Sequence, residues 1–148
     1  MWDSTLDVNT LTDNYFNAVY GAAASTMKTV YAEMKTELAS MSLSGNIYEA
    51  PCGFNDWDNN YLKTQLGRLE TAIDEIASLQ SSDPEQYQII YDAIVCESIS
   101  FRYIYKENSL FGWGGNYDTD AWGSFEEDVT RLGFTMVRES ETMASYLA

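Results

Sequence analysis

Apolar side chains recur every three or four residues along most of this 148-residue chain, and its two prolines, Pro51 and Pro84, both fall between the periodic stretches. That spacing keeps side chains on one face of an α-helix and would scatter them over both faces of a strand. It predicts four helices. The first runs from about Leu11 to Met41, with Phe16, Tyr20, Ala23, Met27, Val30, Met34, Leu38 and Met41 on one face. Thr10 with Asp13 offers a capping box at its start, and Gly21 marks a bend or a close contact in its interior. A second helix, capped by Asn55 or Asp56, runs to about Leu79 on a stripe of Leu62, Leu66, Leu69, Ile73, Ile76 and Leu79.

The strongest boundary is Ser81–Gln86. Asp83 suits the N-cap, Pro84 the first helical position and Gln86 the capping return. The third helix then runs to about Asn108. Its main face holds Tyr87, Ile90, Tyr91, Ile94, Val95, Phe101 and Tyr105, and Ile89, Cys96, Ile99 and Tyr103 widen it. A glycine-rich aromatic loop, 110–120, leads into a last helix from about Thr119 to Tyr146. No segment alternates with period two, so little or no sheet is expected. The fold class predicted is all-α, an antiparallel bundle of about four main helices in a single domain spanning 1–148.

The core such a bundle needs is available, because 11 Tyr, 4 Trp and 6 Met supplement the aliphatic residues. A net charge of −15 argues against nucleic acid and against an anionic membrane surface as partners. No run of about 18 apolar residues is present to span a bilayer. The absence of histidine removes His-based triads and His-containing metal sites. Cys52 and Cys96 form no CxxC pair, and Cys96, inside an apolar helical run, is expected to be a buried free thiol. No cofactor is expected. The opening Met1-Trp2-Asp3-Ser4 has neither a basic nor an apolar signal region and reads as a cut inside a longer chain.

Carboxylates are plentiful, as in Glu33 with Glu37, Glu70 with Asp74, and Glu126–Asp128. A glycosidase holds two of them across a cleft about 5–10 Å apart. Here they fall at helical spacing on faces expected to be solvated, so no catalytic residue is assigned. Glu127 and Arg131 make an i,i+4 surface pair, and Glu97 and Arg102 should find ion-pair partners inside the bundle. Asn116, Asp118, Asp120 and Glu127 have the spacing of positions 1, 3, 5 and 12 of a calcium loop. Position 6 is Ala121 where the loop needs glycine, which leaves calcium the weaker reading and a helix N-terminus the stronger. Trp57 beside Asp56, Asp58, Asn59 and Asn60, and Trp113 with Tyr117, Asp118 and Asp120, combine rings with polar groups as carbohydrate-stacking sites do. The competing reading has these rings cover the ends of the bundle.

The opening carries a family pattern. Met1-Trp2-Asp3, Leu6-Asp7-Val8, Leu11, Tyr15-Phe16, Tyr20-Gly21-Ala22-Ala23 and Met27 through Tyr31 resemble the DUF4838 family of large, glycoside-hydrolase-like bacterial proteins. The resemblance covers about residues 1–38, with Asn17 where the family usually carries an acidic residue. It implies that this chain is the helical region following a (β/α)8 barrel, that the catalytic carboxylates lie in that barrel, and that Trp2 and Leu6 face it. Two readings follow. One is a non-catalytic C-terminal module of a carbohydrate-active protein, with the parent chain's barrel as partner and carbohydrate as a further ligand. The other is a free-standing helical interaction or carbohydrate-binding module.

Overall fold

A computed structural model of the chain describes residues 5, 7–41, 57–109, 117, 119–138 and 141–148. The fold is all-α. Four long helices, α1 (Val8–Tyr20), α2 (Ala24–Ser40), α3 (Asn59–Glu75) and α5 (Pro84–Ser109), carry it. Shorter pieces complete it: a one-turn α4 (Leu79–Ser82), α6 (Phe125–Arg131), a two-stranded hairpin of β1 (Met136–Arg138) and β2 (Glu141–Thr142), and α7 (Met143–Leu147). The residues cluster into two compact units. The first holds residues 1–43 and 67–94, the second 44–66 and 95–148, so α3 and α5 each contribute a part to both.

In the first unit the expected long helix is two helices. Gly21 adopts φ +55°, ψ −120°, a conformation that a side chain disfavours, and opens a 3₁₀ turn over Gly21–Ala23. A Cβ there would sit 3.2 Å from Ile90 Cδ1, so the bend and the close contact expected at Gly21 are both present. The start also differs from expectation. Asp7, not Thr10 with Asp13, caps α1: its carboxylate accepts from the backbone N–H groups of Asn9 and Thr10 and from the Thr10 hydroxyl. These bonds, the hydroxyl's first, hold the Asp7 carboxyl below its ordinary range.

The α2 stripe buries Ala24, Met27 and Val30. α3 runs antiparallel to α2, because Thr26 donates to Glu75 while Arg68, seven residues back along α3, forks onto Glu33, seven residues on along α2. Leu69, Ile73 and Ile76 of the predicted α3 stripe are buried in this unit, and Leu62 and Leu66 in the other. Two boundaries move. Asp58 caps α3 through the N–H groups of Asn60 and Tyr61, in place of Asn55 or Asp56, and the helix closes at Glu75 before the separate turn of α4. Asp83 and Pro84 open α5 as expected, with Gln86 N donating to the Asp83 carboxylate.

On α5, Ile90, Ile94, Val95, Ile99, Phe101 and Tyr105 are buried. Ile89 and Cys96 are not: seven residues apart, they share the face that carries Glu85 and Ser100 to solvent. Cys96 is therefore an exposed free thiol, corrected from the buried one expected. The desolvation it retains, with the neighbouring Glu97 charge, pushes the thiol above its ordinary range. Cys52 lies outside the described residues.

The largest correction concerns the predicted last helix, 119–146. It is interrupted after Arg131. Gly133 takes φ +76°, its N–H donates to Thr130 O, and Phe134 N–H donates to Val129 O. That is a Schellman C-cap, with Phe134 packing back on the cluster that contains Val129. The chain then makes the β1–β2 hairpin, and α7 buries Met143 in the cluster of Ile99 and Val129.

Candidate functional site

The sequence-predicted aromatic and calcium residues belong to the second unit, and the described ones among them, Trp57, Tyr117, Asp120 and Glu127, each make separate local contacts. Trp113, Asn116 and Asp118 lie outside the described residues, as do Trp2 and Leu6. Trp57 is half-buried and stacks on Tyr61 at 6.0 Å, so one of its faces is already covered. Tyr117 meets Tyr105 edge-on at 6.0 Å and Trp122 at 6.2 Å. Asp120 is exposed in a turn. Glu127 turns back onto the Ser124 N–H while Ser124 Oγ accepts from the Glu127 N–H, a full capping box on α6. Those bonds hold the Glu127 carboxyl below its ordinary range. Among the described residues no group of three or more acidic or cysteine side chains could hold a metal ion.

The structure instead assembles a feature that local spacing could not show. Arg102 and Asp128 form a buried pair at 2.7 Å, and Arg102 also donates to Gly123 O at 2.9 Å. Asp128 accepts a second bond, from Arg131, at 3.1 Å. Lys106 lies over the rings of Phe125 and Tyr146, at 5.4 and 4.9 Å. The Tyr146 hydroxyl donates to Glu107, and burial first, then this carboxylate, pushes its ionisation far up. A cavity of about 200 Å³ opens beside Arg102, Lys106, Tyr117, Ser124 and Phe125. Its two cations are already engaged, by Asp128 and by the rings, and Glu126 adds negative charge to the wall.

A second concave feature belongs to the first unit. A groove of about 540 Å³ runs between α1 and α2, open along one side. Phe16 from α1 and Tyr31, Met34 and Leu38 from α2 make it apolar. Lys28 and Lys35 stand at its edge, with the Thr12 hydroxyl the other polar group. Met34, expected in the core stripe, lines this groove half-exposed. Lys28 bonds Asp13, whereas Lys35 makes no ion pair or hydrogen bond among the described residues. Next to the groove α1 exposes Val8, Leu11 and Tyr15. Spaced i, i+3 and i+7, they form a stripe on one side of the helix.

The fold and these surfaces define an all-α protein with an apolar helical face. No helix among the described residues is long and apolar enough to cross a membrane. Comparison with protein-family models, curated proteins and solved structures finds no significant match to the chain.

Proposed function

We propose that this chain is a non-catalytic helical interaction module that docks another folded domain against α1. The observation that carries the reading is the stripe Val8, Leu11 and Tyr15, residues that are 72%, 46% and 54% exposed. Scattered exposed apolar residues are ordinary, but three aligned on one helix beside an apolar groove make a contiguous patch of the kind that partners cover. The resemblance over residues 1–38 makes the barrel of a carbohydrate-active parent chain the first partner to test, because there the barrel immediately precedes this helix.

The non-catalytic part of the reading is supported by what the carboxylates do. Glu33 is held by Arg68, Asp128 by two arginines, and Glu127 by its cap. Such groups hold structure together, whereas a general acid or base needs a cleft that excludes water around a group free to exchange a proton.

The test begins with the reading frame upstream of Met1. A barrel encoded there, added in trans to the labelled chain, should broaden or shift the amide signals of Val8, Leu11 and Tyr15, and Leu11→Asp should abolish the effect. Unmoved α1 signals at saturating barrel concentration would end the docking reading. A panel of aryl glycosides should show no turnover by the chain alone, and turnover lost on replacing one of its carboxylates would overturn the non-catalytic part.

A further inference from the structure

We propose that the α1–α2 groove receives an acidic amphipathic helix from the partner. This rests on the interaction-module reading and adds the chemistry of what is bound. The shape is the first argument. Tyr31 and Leu38 stand seven residues apart on α2, so the apolar floor extends two helical turns, about 10 Å. Helices that dock into grooves present anchors at i, i+3 or i+4, and i+7, which is the same repeat.

Charge is the second argument, and it decides the occupant. Acidic residues outnumber basic ones almost three to one in this chain, at 23 against 8. Two of those eight cations, Lys28 and Lys35, nevertheless line the groove, also two turns apart. The other cation placed in this unit, Arg68, is committed to Glu33. Lys35 has no such commitment among the described residues, and Lys28 is held by Asp13, itself on α1. The apolar stems of the two lysines extend the groove wall while their ammonium groups reach its rim. An incoming helix with carboxylates seven residues apart meets both: one pairs with Lys35, and the other exchanges with Asp13 at Lys28. A basic helix would set like charge against Lys35 and compete with Lys28 for Asp13. A fatty acid could use the same lysine, but a trough open along its length leaves much of an acyl chain in water, whereas a helix needs only one face covered.

The probe is a designed amphipathic peptide with leucines at i, i+3 and i+7 and flanking glutamates seven residues apart, with twins carrying glutamine or lysine in place of the glutamates. Each is titrated into the full chain by fluorescence anisotropy and by amide NMR. The acidic peptide should bind best and shift the amides of Tyr31 through Leu38. Lys35→Glu should weaken it about fivefold and strengthen the lysine twin, as expected when an exposed pair becomes a repulsion. Leu38→Asp should abolish binding, with circular dichroism confirming the helices are intact. Equal binding of the glutamine twin, or no effect of Lys35→Glu, overturns the acidic partner. Tighter binding by palmitate, with displacement of the peptide, overturns it in favour of an acyl ligand. Concentration-dependent shifts of the same amides without peptide overturn it in favour of a second copy. Silent groove amides with all three peptides also overturn it; if the barrel titration still moves Val8, Leu11 and Tyr15, the interaction module survives that failure.

Discussion

Replacing Asp128 by alanine should cost about 3–5 kcal/mol of unfolding free energy, the usual result of leaving one member of a buried ion pair without its partner. The size follows from the surroundings. The Arg102 and Asp128 side chains are each 3% exposed, and the pair closes at 2.7 Å. Without Asp128, the guanidinium keeps its hydrogen bond to Gly123 O and the ring faces of Trp122 and Phe125 at 5.4 and 5.7 Å. Ring faces offset only part of a buried charge. Arg131 is different: its side chain is 38% exposed, so Arg131→Ala should cost well under about 1 kcal/mol. The double replacement Arg102→Met with Asp128→Leu removes the charges together with their desolvation cost, and should recover most of the single-mutant loss. Guanidinium unfolding followed by far-ultraviolet circular dichroism measures all three variants. Since domains of this size hold about 5–15 kcal/mol in total, Asp128→Asn provides a milder variant if the alanine protein does not fold. A cost below about 1 kcal/mol for Asp128→Ala, or a double mutant that costs the sum of the singles, would refute the reasoning.

Gly21→Ala should destabilise by about 1–3 kcal/mol, from backbone strain at φ +55° and the encounter with Ile90, while Gly67→Ala, mid-helix with open space around it, should stabilise by about 0.5–1 kcal/mol. Thermal melts of the two variants should therefore move in opposite directions. The Glu127 carboxyl should titrate below its ordinary 4.5, and Ser124→Ala should return it toward that value in a carbon-detected NMR titration. Because the folded value lies below the unfolded one, the cap's contribution is complete above about pH 4.5 and is lost as pH falls through the folded value. Cys96 should react slowly with a thiol reagent at neutral pH despite its exposure, and faster as pH rises toward and past 9, because it is the thiolate that attacks. A rate at pH 7 equal to that of a model thiol would contradict this.

Helical periodicity located α3 and α5 because each has one broad apolar face, and the Asp83-Pro84 start is chemistry confined to adjacent residues. The same logic failed at the last helix for a reason also visible locally. Val129, Leu132, Met136 and Met143 keep a helical spacing by coincidence, while Gly133 just past Arg131 is the stop signal. Once Gly133 takes positive φ, the two capping bonds from residues 133 and 134 fix the exit of the chain, and the later apolar residues reach the same cluster from a hairpin and a short helix. A glycine at C′ outweighs a stripe that continues beyond it. At the start of α1 the reverse happened: Asp7, with Thr10 three residues on, offered more cap bonds than the Thr10–Asp13 pair, and the helix began earlier.

The groove was harder to read because α2 is apolar on more than its core face. Met27, Met34 and Met41 look like one stripe, but they do not share one environment. Met27 is fully buried, whereas Met34, two turns further along α2, is half-exposed and lines the groove, and Met41 lies past the helix as its extended C-cap. Residues counted as core by their face alone thus become surface toward the C-terminal end of α2. An ion pair for Arg102 inside the fold was expected, but which residues pair escaped for a related reason. Neighbour rules see partners three or four residues apart, while Lys28 reaches Asp13, Arg68 reaches Glu33 and Arg102 reaches Asp128 across helix boundaries. Only when those long-range partners are assigned does Lys35 stand out as a cation beside an apolar groove with no partner among the described residues, and that is an observation about the folded chain that composition and periodicity do not contain.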